Sequence, residues 1–165
     1  MGFQTAAWRP KVRASVTLSR LTNLGPAPEV ASEAPFLADS YAEDWERIER
    51  HAARRRFAAG DEIVREGEVD RSLVIVLAGE LEFVADGRVL GVVEAPSLVG
   101  EVSFFDPGPR SGTLRARTDG ELLQLGFEQF EALAAASPSL ARMILLDAGR
   151  VVAARLRRAT TAAVH

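Results

Sequence analysis

Between positions 100 and 113 the chain reads Gly-Glu-Val-Ser-Phe-Phe-Asp-Pro-Gly-Pro-Arg-Ser-Gly-Thr. A Gly-Glu pair opens the segment, a Pro/Gly turn interrupts it, and Arg-Ser-Gly-Thr leads out into a strand. Its glycines and serines allow a ligand to approach the backbone closely. Arg110 presents a planar fork that suits phosphate oxygens, and Ser111 with neighbouring backbone amides adds further donors. Glu101, when ionised, can only accept, so it suits a sugar hydroxyl and not a phosphate. An acceptor and a cationic fork nine residues apart fit a ligand that carries both hydroxyl and phosphate. On chemistry alone a second reading stands beside this one: an Arg after a turn is commonly a partner in a surface or structural ion pair.

Other chemistries find little support. The chain has no cysteine, which excludes disulfides, thiolate metal sites and cysteine nucleophiles. Its two histidines are His51, in a helical pattern, and His165, at the terminus. A metal-dependent β-roll enzyme needs several His and carboxylate ligands on neighbouring strands. A Ser-His-Asp hydrolase needs a nucleophile elbow of the form Gly-x-Ser-x-Gly, and none occurs. No Walker-type phosphate loop is present either. We therefore assign no catalytic and no metal-ligating residue.

The elements that must position residues 100–113 follow from periodicity. Ser40-Tyr41-Ala42-Glu43 has capping-box form, and Tyr41, Trp45, Ile48 and Ala52 recur at helical spacing, predicting a helix to about Arg55. The run Arg54-Arg55-Arg56 reads as its solvated end, where cations oppose the dipole. From Phe57 onward turn residues recur at short intervals. Between them lie apolar or alternating runs at Glu62–Val64, Leu73–Leu77, Leu81–Val84, Val89–Val93, Thr113–Arg117 and Leu122–Leu125. Short strands spaced by about 8–12 residues indicate a sandwich or barrel, and Asp86-Gly87 reads as a tight hairpin turn. The chain then turns helical: Phe127, Phe130 and Leu133 share a face, and Ser137-Pro138 starts a second helix. That helix runs about twenty residues, to near Thr160, with Leu140, Ile144, Ala148, Val152 and Leu156 in a stripe that serves the core or a dimer seam. The fold class expected is mainly β with flanking helices: an antiparallel β-roll, an N-terminal helix and C-terminal helices.

With 165 residues, 47% hydrophobic and 26% charged, the chain has the size of one domain of about 100–200 residues. Residues 1–35, rich in breakers, read as a flexible tail, with Trp8, Val12 and Val16 as a short amphipathic alternative; 36–160 form the domain, and 161–165 a short tail. The net charge of −3 is unevenly spread. Residues 36–138 carry eleven basic and twenty acidic side chains, whereas 139–165 carry five basic and one acidic. So acidic a body disfavours docking of nucleic acid. No apolar run approaches the roughly 18–20 residues of a membrane span, and the N-terminus lacks a secretory h-region, so a cytoplasmic location is expected.

The order Phe57-x-x-Gly60-Asp61-x-Ile63-x-x-Glu66-Gly67, Leu73 through Gly79-Glu80, Gly100-Glu101 and Arg110-Ser111-Gly112-Thr113 resembles the cyclic nucleotide-binding domain family. This family includes the bacterial catabolite activator and the regulatory subunits of cAMP-dependent protein kinase. The resemblance covers about residues 40–158, and its most specific part is the phosphate-binding cassette. It implies an eight-stranded β-roll, a short cassette helix opened by Gly100, Glu101, Val102 and Ser103, and C-terminal helices that close over the ligand. By resemblance, Glu101 accepts the ribose 2′-hydroxyl and Arg110 clamps the cyclic phosphate with help from Ser111. Ser103 and Gly112 keep room for the ligand. Thr113 stands where some members contact a purine, and also reads as a plain strand residue. Two positions depart from the family pattern: Pro96 replaces a Gly before the cassette, and Val74 a Tyr or Phe.

The function implied is a stand-alone sensor of cAMP or cGMP that is not an enzyme and needs no cofactor. It would signal through an unidentified effector protein or a homodimer formed along the C-terminal helix, without direct contact to nucleic acid, for which the length leaves no recognition helix. The alternative is a degenerate fold kept as an interaction scaffold.

Overall fold

The computed structural model describes residues 36–162; the expectations for the N-terminal tail, including the Trp8 stripe, and for the last three residues lie outside the described residues. The elements run α1 (Ala42–His51), β1 (Ala53–Phe57), β2 (Glu62–Val64), β3 (Ser72–Ala78), β4 (Glu80–Ala85), β5 (Arg88–Glu94), β6 (Ser97–Val99), α2 (Glu101–Phe105), β7 (Thr113–Ala116), β8 (Gly120–Gly126), α3 (Phe127–Ala136) and α4 (Pro138–Ala162). Two antiparallel four-stranded sheets form a roll, one in the order β1-β8-β3-β6 and the other β2-β7-β4-β5. Helices flank the roll at both ends of the described chain, as the sequence led us to expect.

The apolar run in β3 explains the layering. A strand covered on both faces needs no polar alternation. Leu73 and Ile75 point to the helices, where they pack with Leu98, Leu123, Leu125, Phe104, Phe130, Leu133 and Ile144. Val74 and Val76 point into the roll, against Phe57, Ile63, Leu81, Val99, Leu114 and Leu122. Sheet one thus serves two cores. At the β4–β5 hairpin, Asp86 and Gly87 both take positive φ, 49° and 71°, the conformation that a two-residue turn requires and Asp-Gly tolerates.

The N-terminal helix differs from the expectation at both ends. Its N-cap is Tyr41, whose amide donates to Asp44 Oδ2 at 3.0 Å; Ser40 instead donates its hydroxyl to the Leu37 carbonyl, closing the preceding turn. Tyr41 lies outside the packed stripe, 77% exposed, whereas Ile48 is fully buried. The helix stops at His51 because Ala52 turns extended. Arg54-Arg55-Arg56 is consequently a strand, paired with Leu123, Leu122 and Glu121 of β8. Acidic and polar side chains on β8 and α1 explain that choice: Arg54 donates to both oxygens of Glu121 at 2.8 and 3.1 Å and to Glu49, and Arg55 donates to Gln124. The hydrogen bond from Arg54, with its charge, holds the Glu121 carboxyl below its ordinary range.

The final helix is longer than expected, 25 residues, and its inward stripe drifts. Leu140, Ile144, Ala148 and Val151 are buried, but Leu156 is 63% exposed. A straight α-helix gains on a fixed four-residue step, so a stripe counted in fours leaves the packed face after about three turns. Near the start of the described chain, the Leu37 amide donates to Asp147 of α4 at 2.9 Å, fastening the first turn to this helix.

Candidate functional site

Strand β6 ends at Val99, and Gly100 turns the chain sharply into α2 with φ of 88°. A side chain there would be strained by that φ. Its Cβ would also lie 2.6 Å from the Ser72 carbonyl and 2.7 Å from Nη1 of Arg110. The glycine is thus required twice, by its backbone angle and by the guanidinium that presses against it. Glu101 and Ser103, two residues apart on α2, are buried, whereas Val102 between them is 55% exposed.

Arg110 arrives on the loop between α2 and β7. Its backbone is clamped by the β2–β3 loop: the Arg110 amide donates to the Glu68 carbonyl at 2.8 Å, and the Gly67 amide donates to the Arg110 carbonyl at 2.9 Å. Its side chain is 4% exposed. Nη1 donates to Ser103 Oγ at 2.7 Å and to the Gly100 carbonyl at 3.3 Å. Nη2 donates to the Ser72 carbonyl and hydroxyl, both at 2.9 Å, and pairs with Asp70. Nε is buried and has no partner. A buried guanidinium N–H without an acceptor is costly, and it marks the place where an anion would be welcome.

Glu101, 3% exposed, meets a residue that the sequence did not point to. Arg155 of α4 donates through Nη1 to Glu101 Oε1 at 2.6 Å and through Nη2 to the Leu98 carbonyl at 2.9 Å. The structure therefore brings Gly100, Glu101, Ser103 and Arg110 together around the start of α2. Ser111 is exposed and stands outside this cluster.

Gly112 and Thr113 have other duties. A Cβ on Gly112 would lie 2.5 Å from the Phe83 ring and 2.7 Å from the Val84 carbonyl, so its smallness lets the loop close on β4. Thr113 accepts the Glu66 amide on its hydroxyl at 3.0 Å and pairs with Val84, as a strand residue does.

Sequence reasoning also missed Asp70-Arg71-Ser72, the polar triplet that opens the apolar strand β3. Asp70 and Ser72 hold Arg110, and Gln124 donates to the Ser72 hydroxyl at 3.0 Å. Arg71 lies 3.5 Å over the Phe127 ring and donates to the Phe104 carbonyl at 2.9 Å, tying α2 to α3. The available signal was a buried serine at the mouth of an otherwise apolar run.

Comparison with known proteins gives the class of this β-roll with its short helix and buried Arg. Residues 54–137, half of the chain, match the cyclic nucleotide-binding domain; the chain belongs to that family. It is 30% identical over 107 residues to the CRP-like cAMP-activated global transcriptional regulator of Mycobacterium tuberculosis, covering 62% of this chain and 46% of that protein. It is 29% identical over 149 residues to an uncharacterized NTE family protein of Mycobacterium bovis, covering 90% of this chain and 24% of the relative. The chain thus spans less than half the length of these curated relatives. Among solved structures, the Thermus thermophilus catabolite activator protein superposes with a TM-score of 0.66 at 27% identity, over 78% of this chain and 61% of that one. The c-di-GMP responsive global regulator CLP of Xanthomonas campestris gives 0.63 at 30% identity, over 73% and 62%.

Proposed function

We propose that this domain binds a cyclic nucleotide, cAMP or cGMP, and passes its state to an effector protein or to a second copy. The observation that carries the reading is the cassette itself: a buried acceptor, Glu101, and a buried cation with an unpartnered N–H, Arg110, converge on the first turn of α2. In this reading Glu101 takes the ribose 2′-hydroxyl and Arg110 the cyclic phosphate. The domain catalyses nothing and acts in the cytoplasm. No helix among the described residues is long and apolar enough to cross a membrane. Exposed Leu145, Leu146 and Leu156 on α4 give a second copy or an effector an apolar surface to meet. Direct contact with nucleic acid is left out of this reading, since residues 36–138 carry eleven basic and twenty acidic side chains.

Calorimetric titration with cAMP, cGMP and c-di-GMP tests this; the last is included because one structural relative is described as responsive to it. At a ligand concentration about 100 times its dissociation constant, the domain gains about 2.7 kcal/mol of stability. Arg110→Ala is expected to lose about 2–5 kcal/mol of binding, because a desolvated phosphate loses its partner. No binding of any of the three by the wild-type chain removes the reading. A second reading would then hold: a scaffold whose pocket residues serve one another. Its support is that Arg110 already has Asp70, Ser72 and Ser103, and Glu101 already has Arg155.

A further inference from the structure

In β8 one polar residue interrupts the apolar run Leu122-Leu123-Gln124-Leu125, whose three leucines are fully buried. By the alternation of a strand, Gln124 shares a face of the sheet with Leu122, which belongs to the core of the roll. A polar side chain on such a face needs partners, and Gln124 finds one on each neighbouring strand. It lies opposite Ala53 of β1 and Val74 of β3, whereas Arg55 pairs with Leu122 and Ser72 with Gly126. Arg55, Gln124 and Ser72 therefore form a diagonal across three strands, within reach of long side chains. Nη1 of Arg55 donates to Gln124 Oε1 at 2.9 Å, and Gln124 Nε2 donates to Ser72 Oγ at 3.0 Å. Ser72 Oγ in turn donates to Asp70 Oδ2 at 2.7 Å and accepts Nη2 of Arg110 at 2.9 Å.

Each bond in this line has one possible direction. A guanidinium only donates, so Arg55 takes the amide oxygen of Gln124 and turns its NH2 group toward Ser72. Asp70, ion-paired with Arg110, takes the single proton of the Ser72 hydroxyl. The two lone pairs of that hydroxyl are then left for Gln124 and Arg110. Ser72 is 2% exposed, so a donor lost at Gln124 is not replaced from solvent. We infer that Gln124 is a positioning residue of the anion site: Arg55 sets its amide, Gln124 sets the Ser72 hydroxyl, and Ser72 holds Nη2 of Arg110 so that the unpartnered Nε keeps its orientation. The inference rests on the cyclic-nucleotide reading for the identity of the anion, and not for the hold on Arg110.

The test titrates cAMP and cGMP in calorimetry against the full chain as wild type, Gln124→Met, Ser72→Ala, the double variant and Arg55→Ala. The Nε–H resonance of Arg110, identified by its loss in Arg110→Lys, is followed without ligand. Gln124→Met keeps the reach of the side chain and removes both of its hydrogen bonds. It is expected to weaken the nucleotide about three- to tenfold, the scale of one hydrogen bond. The double variant is expected to bind no worse than Ser72→Ala alone, because Gln124 acts only through that hydroxyl. Arg55→Ala, at an exposed site, costs about threefold or less. The Arg110 Nε–H resonance shifts in Gln124→Met and, less, in Arg55→Ala. Losses that add in the double variant would make Gln124 a packing residue, and unchanged affinity in Gln124→Met would leave it outside the site; either result overturns the inference while leaving the function standing. If the wild-type chain binds neither nucleotide, the functional reading fails. The resonance then decides the hold on Arg110, and a resonance unmoved in both Gln124→Met and Arg55→Ala overturns that too.

Discussion

At Gly100 three demands meet in one residue. The backbone has φ of 88°, the Ser72 carbonyl lies where a Cβ would be, and the Arg110 guanidinium fills the other side. Gly100→Ala therefore strains the backbone and pushes against two groups that hold the cassette. We expect a loss of about 1–3 kcal/mol, the cost of a residue held in a sparsely populated region, read as a shift of the urea midpoint at unchanged slope. Gly112→Ala offers the contrast, because its obstacle is the Phe83 ring and the Val84 carbonyl, which lie on β4 and away from Arg110. Arg110 itself unites the two roles that its chemistry left open. It is a structural ion-pair partner of Asp70, and its unpartnered Nε suits it to take an anion.

At the scale of elements, charge decides what periodicity leaves undecided. The arginines at 54–56 extend a helical pattern, yet they form β1 because β8 and α1 offer Glu121, Gln124 and Glu49 as partners. The consequence is a pH dependence with a definite sign. The hydrogen bond from Arg54 and its charge depress the folded-state pKa of Glu121. Its contribution to stability is therefore complete above the unfolded pKa and is lost as the pH falls through the depressed folded value. Glu121→Gln is expected to lower the urea midpoint at neutral pH and to match the wild type only in acid below the depressed folded value. The difference shrinks in high salt because the pair is exposed. A deficit that persists in acid would assign the effect to packing of β1.

Over the whole molecule, the first sheet lies between two cores, with Leu73 and Ile75 in one and Val74 and Val76 in the other. β3 is central in that sheet, flanked by β8 and β6. It cannot open without exposing both cores, so its amides are expected to exchange only through global unfolding, the slowest class in native-state exchange. Exchange in β3 faster than in the helices that cover it would show that the two cores unfold separately. The same layering joins the site to the cores: Phe104 of α2, 1% exposed, stacks edge-on with Phe130 of α3 at 5.2 Å.

Much of this was readable along the chain. The six apolar runs became β2, β3, β4, β5, β7 and β8 because each carries its own burial pattern, and Asp86-Gly87 specified its turn through residues that tolerate positive φ. The order of Gly100, Glu101, Ser103 and Arg110 was legible as a cassette through its resemblance to the cyclic nucleotide-binding family, and the fold gathers these residues around the start of α2. What stayed hidden depends on contacts distant in sequence: the strand at Arg54–Arg56 needs Glu121, the hold on Arg110 needs Asp70 and Ser72, and the partner of Glu101 stands 54 residues away in α4. Local propensity and periodicity are properties of the chain and survive without the fold. The choice of partner for a charged side chain is made only when the sheets and helices close, because an ion pair stabilises only where the fold sets both groups together and shields them from water.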